Sequence, residues 1–137
     1  MARWLFKEEP DHYSYADLER DGSTLWNGVD NALARQNLRK VRKGDRILLY
    51  HTGKEKAVVG ELIALANASR DPNDDDPKAV VVKVKAVRKL PLPVSLRRIK
   101  DDPELTEWDL VRMPRLSVMS VTKDQWRRIV SMSEHNL

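Results

Sequence analysis

The 137-residue sequence contains no cysteine and only three histidines. Without cysteine, the chain has no disulfide framework, no thiol nucleophile and no thiolate metal site. The histidines, His12, His51 and His135, are far apart and lack the spacing of metal ligands. The sequence therefore predicts no bound metal and no cofactor.

Long apolar segments are absent as well. No run approaches the ~20 residues of a membrane span, and charges at Arg3 and Lys7 come too early for a signal peptide. We expect no membrane partner and an intracellular, cytoplasmic location. The length fits one domain over residues 1–137, and the net charge of +4 permits a nucleic-acid partner without requiring one.

Recognised catalytic patterns are missing too. Ser117 lacks the Gly-x-Ser-x-Gly elbow of serine hydrolases. Glu8 and Glu9 are adjacent, and on a strand they would point to opposite faces rather than form an acid–base pair. We therefore expect a protein that is not an enzyme. The sequence still leaves open that Lys7, His51 and a serine meet in space.

Alternating or continuously apolar segments, bounded by turn residues, predict four strands. They cover residues Arg3–Glu9, Arg46–Thr52, Ala57–Leu65 and Ala79–Val87, and the last three are expected to be neighbours in a sheet. Pro91 and Pro93 are expected to end the fourth strand, and Gly60 predicts a bulge or a close backbone approach.

Capping residues predict short helices between the strands. Ser14–Asp17 and Thr122–Gln125 have the pattern of capping boxes, and Ser95 fits the start of a helix that reaches Lys100. Trp126 of the last helix is expected in the core. Short strands interleaved with short helices predict the α+β class, as a small, mostly antiparallel barrel.

The acidic segment Asp71–Pro77 begins like a calcium-binding loop. However, its sixth position is Asp76 rather than glycine, and its twelfth is Val82 rather than glutamate. We therefore predict a solvated turn between strands.

The stretch Trp26-Asn27-Gly28-Val29-Asp30-Asn31 places an indole before a glycine turn and an amide near the start of a helix. Glycine permits a positive φ, and Asn31 fits a helix cap. An indole face and an amide together can hold a flat heterocycle, by stacking and by a hydrogen bond to its edge. A buried core tryptophan beside an ordinary capped helix explains the same residues, and the stretch alone leaves both interpretations open.

The helix after Asn31 carries an apolar stripe and, one position further on, a basic stripe. The apolar residues at positions i, i+4 and i+7 are Ala34, Leu38 and Val41. The basic residues with the same spacing are Arg35, Arg39 and Arg42. We hypothesise that these arginines contact a nucleic-acid backbone; a solvated helix face is the alternative.

Five local patterns occur in an order that resembles the EVE domain, a PUA-like family. They are Trp4-Leu5-Phe6-Lys7-Glu8-Glu9-Pro10, Trp26 to Asn31, Gly44-Asp45 leading into Tyr50-His51-Thr52, Val59-Gly60, and Arg115-Leu116-Ser117-Val118. No single motif is specific, but the series covers nearly the whole chain.

This resemblance implies a PUA-like β-barrel flanked by short helices, related to the YTH and ASCH domains. It also implies a reader of a modified base in DNA or RNA, with modified cytosine favoured, and YTH domains hold a methylated adenine in an aromatic cage. By the same likeness, the residues that line or support the pocket would be Lys7, Trp26, Gly28, Val29, Asn31, Tyr50, His51 and Ser117.

The chain departs from the family pattern at two places. Asp30 stands where the family usually has a basic residue, which weakens one expected phosphate contact. An aromatic residue usual near the start of the strand at Lys78-Ala79-Val80 is also missing.

The leading hypothesis is a non-catalytic module that holds a modified base in an aromatic pocket with Trp26 as a wall. The alternative is an ASCH-like nuclease or amide hydrolase that uses Lys7 or His51. A third hypothesis is an RNA-binding accessory domain without a base pocket.

Overall fold

The computed structural model describes residues 1–135. In this part of the chain, the strands are β1 (Arg3–Glu8), β2 (Ser23–Trp26), β3 (Arg46–His51), β4 (Ala57–Ala64), β5 (Ser69–Arg70), β6 (Val80–Ser95) and β7 (Val118–Ser120). The helices are α1 (Tyr15–Asp21), α2 (Ala32–Leu38), α3 (Leu96–Asp101), α4 (Asp109–Arg112) and α5 (Lys123–Glu134). Among the described residues, no helix is long and apolar enough to span a bilayer.

The strands form a mixed sheet in the order β2-β6-β4-β3-β1-β7, and β5 pairs with the beginning of β6. The pairing of β1 with β3 is parallel, whereas the other pairings are antiparallel. The expected neighbours β3, β4 and β6 are indeed adjacent. The predicted α+β class and the mostly antiparallel sheet are therefore confirmed.

The sheet curls into a half-barrel, and an aromatic pair shows where its two sides meet. Phe6 lies in β1 and Trp26 lies in β2, near opposite ends of the strand order. Their ring centroids are nevertheless 5.5 Å apart, at a tilt of 39°, within the range of favourable aromatic pairs. We call the meeting line of β1 and β2 the seam.

The fourth predicted strand is longer than expected. Pro91 and Pro93 do not end β6, which continues to Ser95. The register between β4 and β6 shifts so that residues 90–93 lie opposite the single residue Val59. Both prolines fall in this bulge, where the ladder needs no N–H from them, and the strand resumes its pairing beyond it.

Gly60 has the close contact predicted from its position. A Cβ on Gly60 would lie 2.2 Å from Cε2 of Tyr15, so only glycine lets this ring pack against β4. The Tyr15 hydroxyl donates to the Glu61 carbonyl at 3.2 Å, and burial raises the pKa of Tyr15 to about 12. The contact fixes α1 against the sheet.

Helix α2 is shorter than the sequence pattern indicated. It ends at Leu38, with Arg39 as its C-cap, so Val41 and Arg42 follow the helix. The apolar stripe is confirmed as core, since Ala34, Leu38 and Val41 are fully buried. The basic stripe, in contrast, does not lie along one helix.

The acidic loop is only partly a solvated turn. Asp71 is buried, and its carboxylate accepts the N–H of Asn73 at 2.9 Å. Asp76 accepts the N–H of Lys78 and binds the Arg35 guanidinium, both at 2.9 Å. These contacts lower the pKa of Asp76 below its usual range, mainly through the Lys78 N–H and then through Arg35. The loop is thus tied to α2.

The C-terminal elements form the outer layer. The predicted capping box at the start of α5 is present, with reciprocal hydrogen bonds between Thr122 and Gln125. Trp126 is half-buried against the core, and the Arg3 guanidinium lies 6.0 Å from its ring centroid. Ile129 is fully buried, so α5 packs through the face that its spacing predicted.

Candidate nucleic-acid interface

Trp26 is the last residue of β2, and it pairs with Val82 of β6. Its residue exposure is 5%, so the indole is largely core. It also lines a cavity of about 180 Å³ at the seam, together with Glu8, His12, Tyr13, Thr24, Leu25 and Asn27. We call this the seam cavity. The two interpretations of Trp26 are therefore not exclusive, because one side of the indole packs on Phe6 while another borders the seam cavity.

The polar groups of the seam cavity come mainly from the segment that follows β1. One Glu8 oxygen, Oε1, accepts the Glu9 N–H at 2.9 Å and lies 3.3 Å from His12 Nδ1. Glu8 Oε2 has no hydrogen-bond partner among the described residues. The Tyr13 hydroxyl donates to Asp21 at 2.8 Å. Glu8 therefore offers a free acceptor, whereas Tyr13 is held in place.

The glycine turn and its cap behave as the sequence indicated. Gly28 has a φ of +73°, and a Cβ there would meet nothing within 4 Å. The glycine is therefore required by the left-handed backbone rather than by a close approach. Asn31 is the N-cap of α2, and its Oδ1 accepts the Ala34 N–H at 3.0 Å. Val29 is half-buried against the core, and its carbonyl accepts from Arg35 Nε.

Asn31 and Trp26 line different cavities. Asn31 borders a second cavity of about 340 Å³, whose other lining residues are Leu33, Arg112, Met113, Pro114, Arg115 and Leu116. The structure therefore separates the indole from the amide that the sequence pattern suggested would hold one ligand together.

Lys7 and Tyr50 lie on the other face of β1 and β3. They are register partners, and strand alternation places them opposite to the Phe6 face that meets Trp26. Lys7 Nζ lies 5.4 Å from the Tyr50 ring centroid and donates to the Pro114 carbonyl at 2.9 Å. Burial lowers the pKa of Lys7 and raises that of Tyr50 to about 12. The Lys7 ammonium therefore has a hydrogen-bond partner within the fold and covers the face of the Tyr50 ring.

His51 and Ser117 also have structural partners. Nε2 of His51 accepts the Tyr15 N–H at 3.1 Å, so the ring proton lies on Nδ1, which is 2.7 Å from Glu55 Oε1. This neutral imidazole has no nitrogen left for a ligand. Ser117 precedes β7, and its carbonyl accepts the Lys7 N–H at 2.9 Å. Both residues thus hold β1 and β3 to their neighbours.

The three predicted backbone arginines have different surroundings. Only 14% of the Arg35 side chain is exposed; its guanidinium lies 2.9 Å from Asp76 and 3.7 Å from Asp30. Arg39 and Arg42 are exposed, and neither has a carboxylate within salt-bridge distance among the described residues. Arg35 therefore joins α2 to the acidic loop, and only the other two remain available to an anion.

Sequence reasoning missed most of the polar lining of the seam cavity. Glu8 and Asn27 lie within the patterns that resemble the family but are not among the predicted site residues, whereas His12 and Tyr13 belong to no motif. Glu8, His12 and Tyr13 meet Trp26 only because the sheet curls. One signal was present: two adjacent carboxylates, Glu8 and Glu9, directly follow an apolar strand. On a curled sheet, such a position lies at the rim.

These features define a small α+β half-barrel domain with a cavity of about 180 Å³ where its edges meet. The chain belongs to the EVE domain family, whose model matches residues 2–132.

Relatives and solved structures agree with this assignment. Chicken thymocyte nuclear protein 1 is 28% identical over 167 residues, which cover 97% of this chain and 69% of that protein. The human protein of that name is 26% identical over 97% of this chain and 74% of its own length. A protein of Rhodopseudomonas palustris solved by NMR is 34% identical, with a TM-score of 0.92 over 98% of this chain and 94% of that one.

Two further structures agree in fold alone. Human thymocyte nuclear protein 1 in complex with DNA that contains 5-methylcytosine superposes with a TM-score of 0.92 at 24% identity, over the full length of both chains. An ASCH protein of Zymomonas mobilis superposes with a TM-score of 0.60 at 12% identity, over 96% of this chain and 99% of that one.

Proposed function

We propose that this protein is a non-catalytic reader of a modified base, with modified cytosine favoured, and that the base occupies the seam cavity. The observation that carries the proposal is the juxtaposition of the Trp26 indole with the free Glu8 acceptor in a cavity of about 180 Å³. The partner is DNA or RNA.

Stacking supplies the first part of the binding energy. A base stacked on an aromatic side chain gains ~1–3 kcal/mol. A base in a duplex must first leave the stack, at a cost of a few kcal/mol, and contacts to phosphates offset this cost. A single-stranded or mismatched site lowers the cost and is expected to bind more tightly.

Glu8 supplies discrimination among bases. A carboxylate accepts a hydrogen bond from the N4 amino group of cytosine, which thymine and uracil lack. Leu25, a cavity-lining residue that is 48% exposed, offers an apolar neighbour for a methyl substituent. This combination favours a methylated cytosine over an unmodified one. The human relative bound to 5-methylcytosine DNA supports this ligand class.

The catalytic alternative has little geometric support. His51 has both ring nitrogens occupied, and Lys7 is bound to a carbonyl on the far face of β1. We therefore expect oligonucleotides, nucleotides and acylated nucleosides to remain unchanged on incubation, with or without divalent metal. Turnover that disappears on substitution of Lys7 or His51 would replace the reader with an ASCH-like enzyme.

A binding titration tests the reader function. Short DNA and RNA oligonucleotides that differ only in the methyl group of one cytosine are titrated by fluorescence anisotropy. Tighter binding of the methylated form is expected from the wild type, and Trp26→Phe should reduce that preference. Trp108→Phe is the matched control, because Trp108 is equally buried but donates to the Ser120 carbonyl outside the seam cavity. Equal affinity for both oligonucleotides in the wild type would refute the proposal.

A further inference from the structure

Three arginines from separate segments surround a concavity that the base-reading function does not use. Arg39 caps the end of α2, Arg42 lies in the following turn, and Arg70 belongs to β5. All three line a cavity of about 340 Å³, with Ala68, Ser69, Pro77, Ala79 and Val80 as its other walls. We call this the arginine pocket.

Backbone carbonyls hold the three guanidinium groups in place. Arg39 donates to the Lys78 carbonyl at 2.8 Å, and Arg42 donates to the Arg39 carbonyl at 3.2 Å. Arg70 donates to the Asp74 carbonyl at 3.5 Å. Each guanidinium has five N–H donors, so each retains donors for a ligand. The neutral anchors orient the cations without cancelling their charge.

Three of the four carboxylates of the neighbouring acidic loop are engaged elsewhere, and the fourth, Asp75, is exposed. Asp71 is buried and accepts the Asn73 N–H, whereas Asp74 accepts the Asp76 N–H at 2.9 Å. Asp76 is the partner of Arg35. Among the described residues, no carboxylate lies within salt-bridge distance of the three arginines that line the pocket. The pocket therefore concentrates positive charge that an oxyanion can neutralise through bidentate contacts.

The arginine pocket lies across β6 from the seam cavity: its strand β5 follows β4 along one edge of β6, whereas β2, which carries Trp26, pairs with the other edge. Its wall residue Val80 is two residues from Val82, the register partner of Trp26, which is about 7 Å along β6. A nucleic acid bound at both cavities would therefore cross β6 between its phosphate and its flipped base.

We infer that the arginine pocket binds one backbone phosphate of the nucleic acid, and that this contact sets the register of the strand relative to the base cavity. The inference rests on the proposed function, because it takes nucleic acid as the partner. The sequence pattern suggested that the arginines in and after α2 contact successive phosphates. The inference instead assigns one phosphate to Arg39, Arg42 and Arg70 together.

A salt titration distinguishes one phosphate from a row of three. Each neutralised phosphate contributes about 0.9 to the slope of log affinity against log salt for duplex DNA and about 0.7 for single strands. The variant R39Q/R42Q/R70Q should therefore reduce the slope by about one contact. Between about 50 and 200 mM salt, the advantage of the wild type in duplex binding should shrink by about 3–4-fold. A reduction equivalent to three contacts would overturn the shared-phosphate geometry.

Methylphosphonate scanning locates the phosphate. In the wild type, replacing one particular phosphate with the neutral methylphosphonate should weaken binding more than replacement elsewhere. In R39Q/R42Q/R70Q, the same replacement should have no further effect. An undiminished loss at that position in the variant would overturn the proposal, and R70Q alone gives the same comparison if the triple variant does not fold.

The control removes equal charge from the outer layer through R97Q/K100Q/R127Q. This variant should retain the wild-type slope and the methylphosphonate profile. An equal loss in both triple variants would show a general charge effect and overturn the pocket.

The methylation preference separates this inference from the proposed function. R39Q/R42Q/R70Q should bind methylated and unmethylated oligonucleotides more weakly by the same factor. If the wild type shows no methyl preference but the variant loses one contact, the phosphate pocket stands and the reader function fails. If the preference exists and the slope does not change, the pocket fails and the reader stands.

Titration with inorganic phosphate, followed by amide NMR shifts, should show much weaker binding than the oligonucleotide; equal affinity would identify a free-anion site and overturn the inference.

Discussion

The two faces of β1 differ in how their polar groups are satisfied. On one face, Phe6 and Trp26 pack across the seam, and Glu8 retains a free carboxylate oxygen beside them. On the other face, the Lys7 ammonium lies over Tyr50 and donates to the Pro114 carbonyl. The contact between Trp26 and Phe6 is part of the core, but the free Glu8 oxygen beside it adds no hydrogen bond to the fold, whereas the Lys7 ammonium does. This difference supports our proposal that a ligand binds at the seam and that Lys7 stabilises the fold.

The resemblance implies one pocket that includes both Lys7 and Trp26, and this set stays a prediction, although the two side chains lie toward opposite faces of β1. Residues adjacent in a motif, such as Phe6 and Lys7, alternate between the two faces of the strand. Consecutive residues of one motif can therefore have different roles, one facing a ligand cavity and the next packing within the fold. The following substitutions test whether ligand binding and stabilisation belong to different faces of β1.

The largest effect is expected from Trp26→Ala. Loss of a buried indole should lower the free energy of unfolding by ~3–5 kcal/mol and abolish the preference for the methylated base. Chemical denaturation and anisotropy on the same preparation measure both. A destabilised variant whose folded fraction still prefers the methylated base would move the stacking surface away from Trp26.

Glu8→Gln should produce the next largest change, and on binding alone. The variant keeps the shape of the side chain but loses the carboxylate, so affinity for the cytosine ligand should fall by ~1–3 kcal/mol, roughly 5- to 150-fold. Its unfolding midpoint should stay near that of the wild type. The control is Glu9→Gln, because Glu9 lies outside the cavity lining. A larger binding loss in the control would place the base elsewhere on the rim.

Lys7→Met should change stability but not recognition. The apolar stem still covers Tyr50, while the hydrogen bond to Pro114 is lost, so the unfolding free energy should fall by about 1 kcal/mol. The ratio of affinities for methylated and unmethylated oligonucleotides should be unchanged. Loss of that ratio in a folded variant would bring Lys7 into the base site and reverse the comparison.

The smallest expected effect depends on pH and concerns the ion pair between Asp102 and Arg128. The Arg128 hydrogen bond holds the pKa of Asp102 below its usual range. Because the folded-state pKa is lower than the unfolded one, the stabilisation is fully present above about pH 4 and disappears as the pH falls through the folded-state value.

Asp102→Asn should therefore be less stable than the wild type at neutral pH, and the difference should shrink on acidification. Thermal unfolding across a pH series measures this, with Asp101→Asn as the exposed neighbour control. A difference that stays constant down to strongly acid pH would show that the Asp102 carboxylate is not the titrating group.

Local patterns predicted much of the fold because their causes are local. The capping residues Ser14 and Thr122 begin helices as expected, since a side-chain oxygen and a backbone N–H three residues on suffice. Apolar runs predicted strands β3 and β4. The position of Gly60 within the second run predicted the close contact that its backbone makes with Tyr15. In contrast, the path of β6 past Pro91 and Pro93 required the bulge opposite β4, which no local pattern contains.

Residues close together in the chain account for the α+β class, the Trp26 turn and the caps of the helices, because neighbouring residues decide backbone dihedral angles and first hydrogen bonds. Which charges remain free depends instead on contacts between distant segments. Arg35 and Arg39 have the same residue type and helical spacing, yet the folded acidic loop binds one and leaves the other exposed. Likewise, Glu8 meets Trp26 only because the sheet curls. The surroundings of a charged side chain or a cavity consist of atoms from segments that are distant in the sequence. The spacing of residues within one segment therefore cannot predict them.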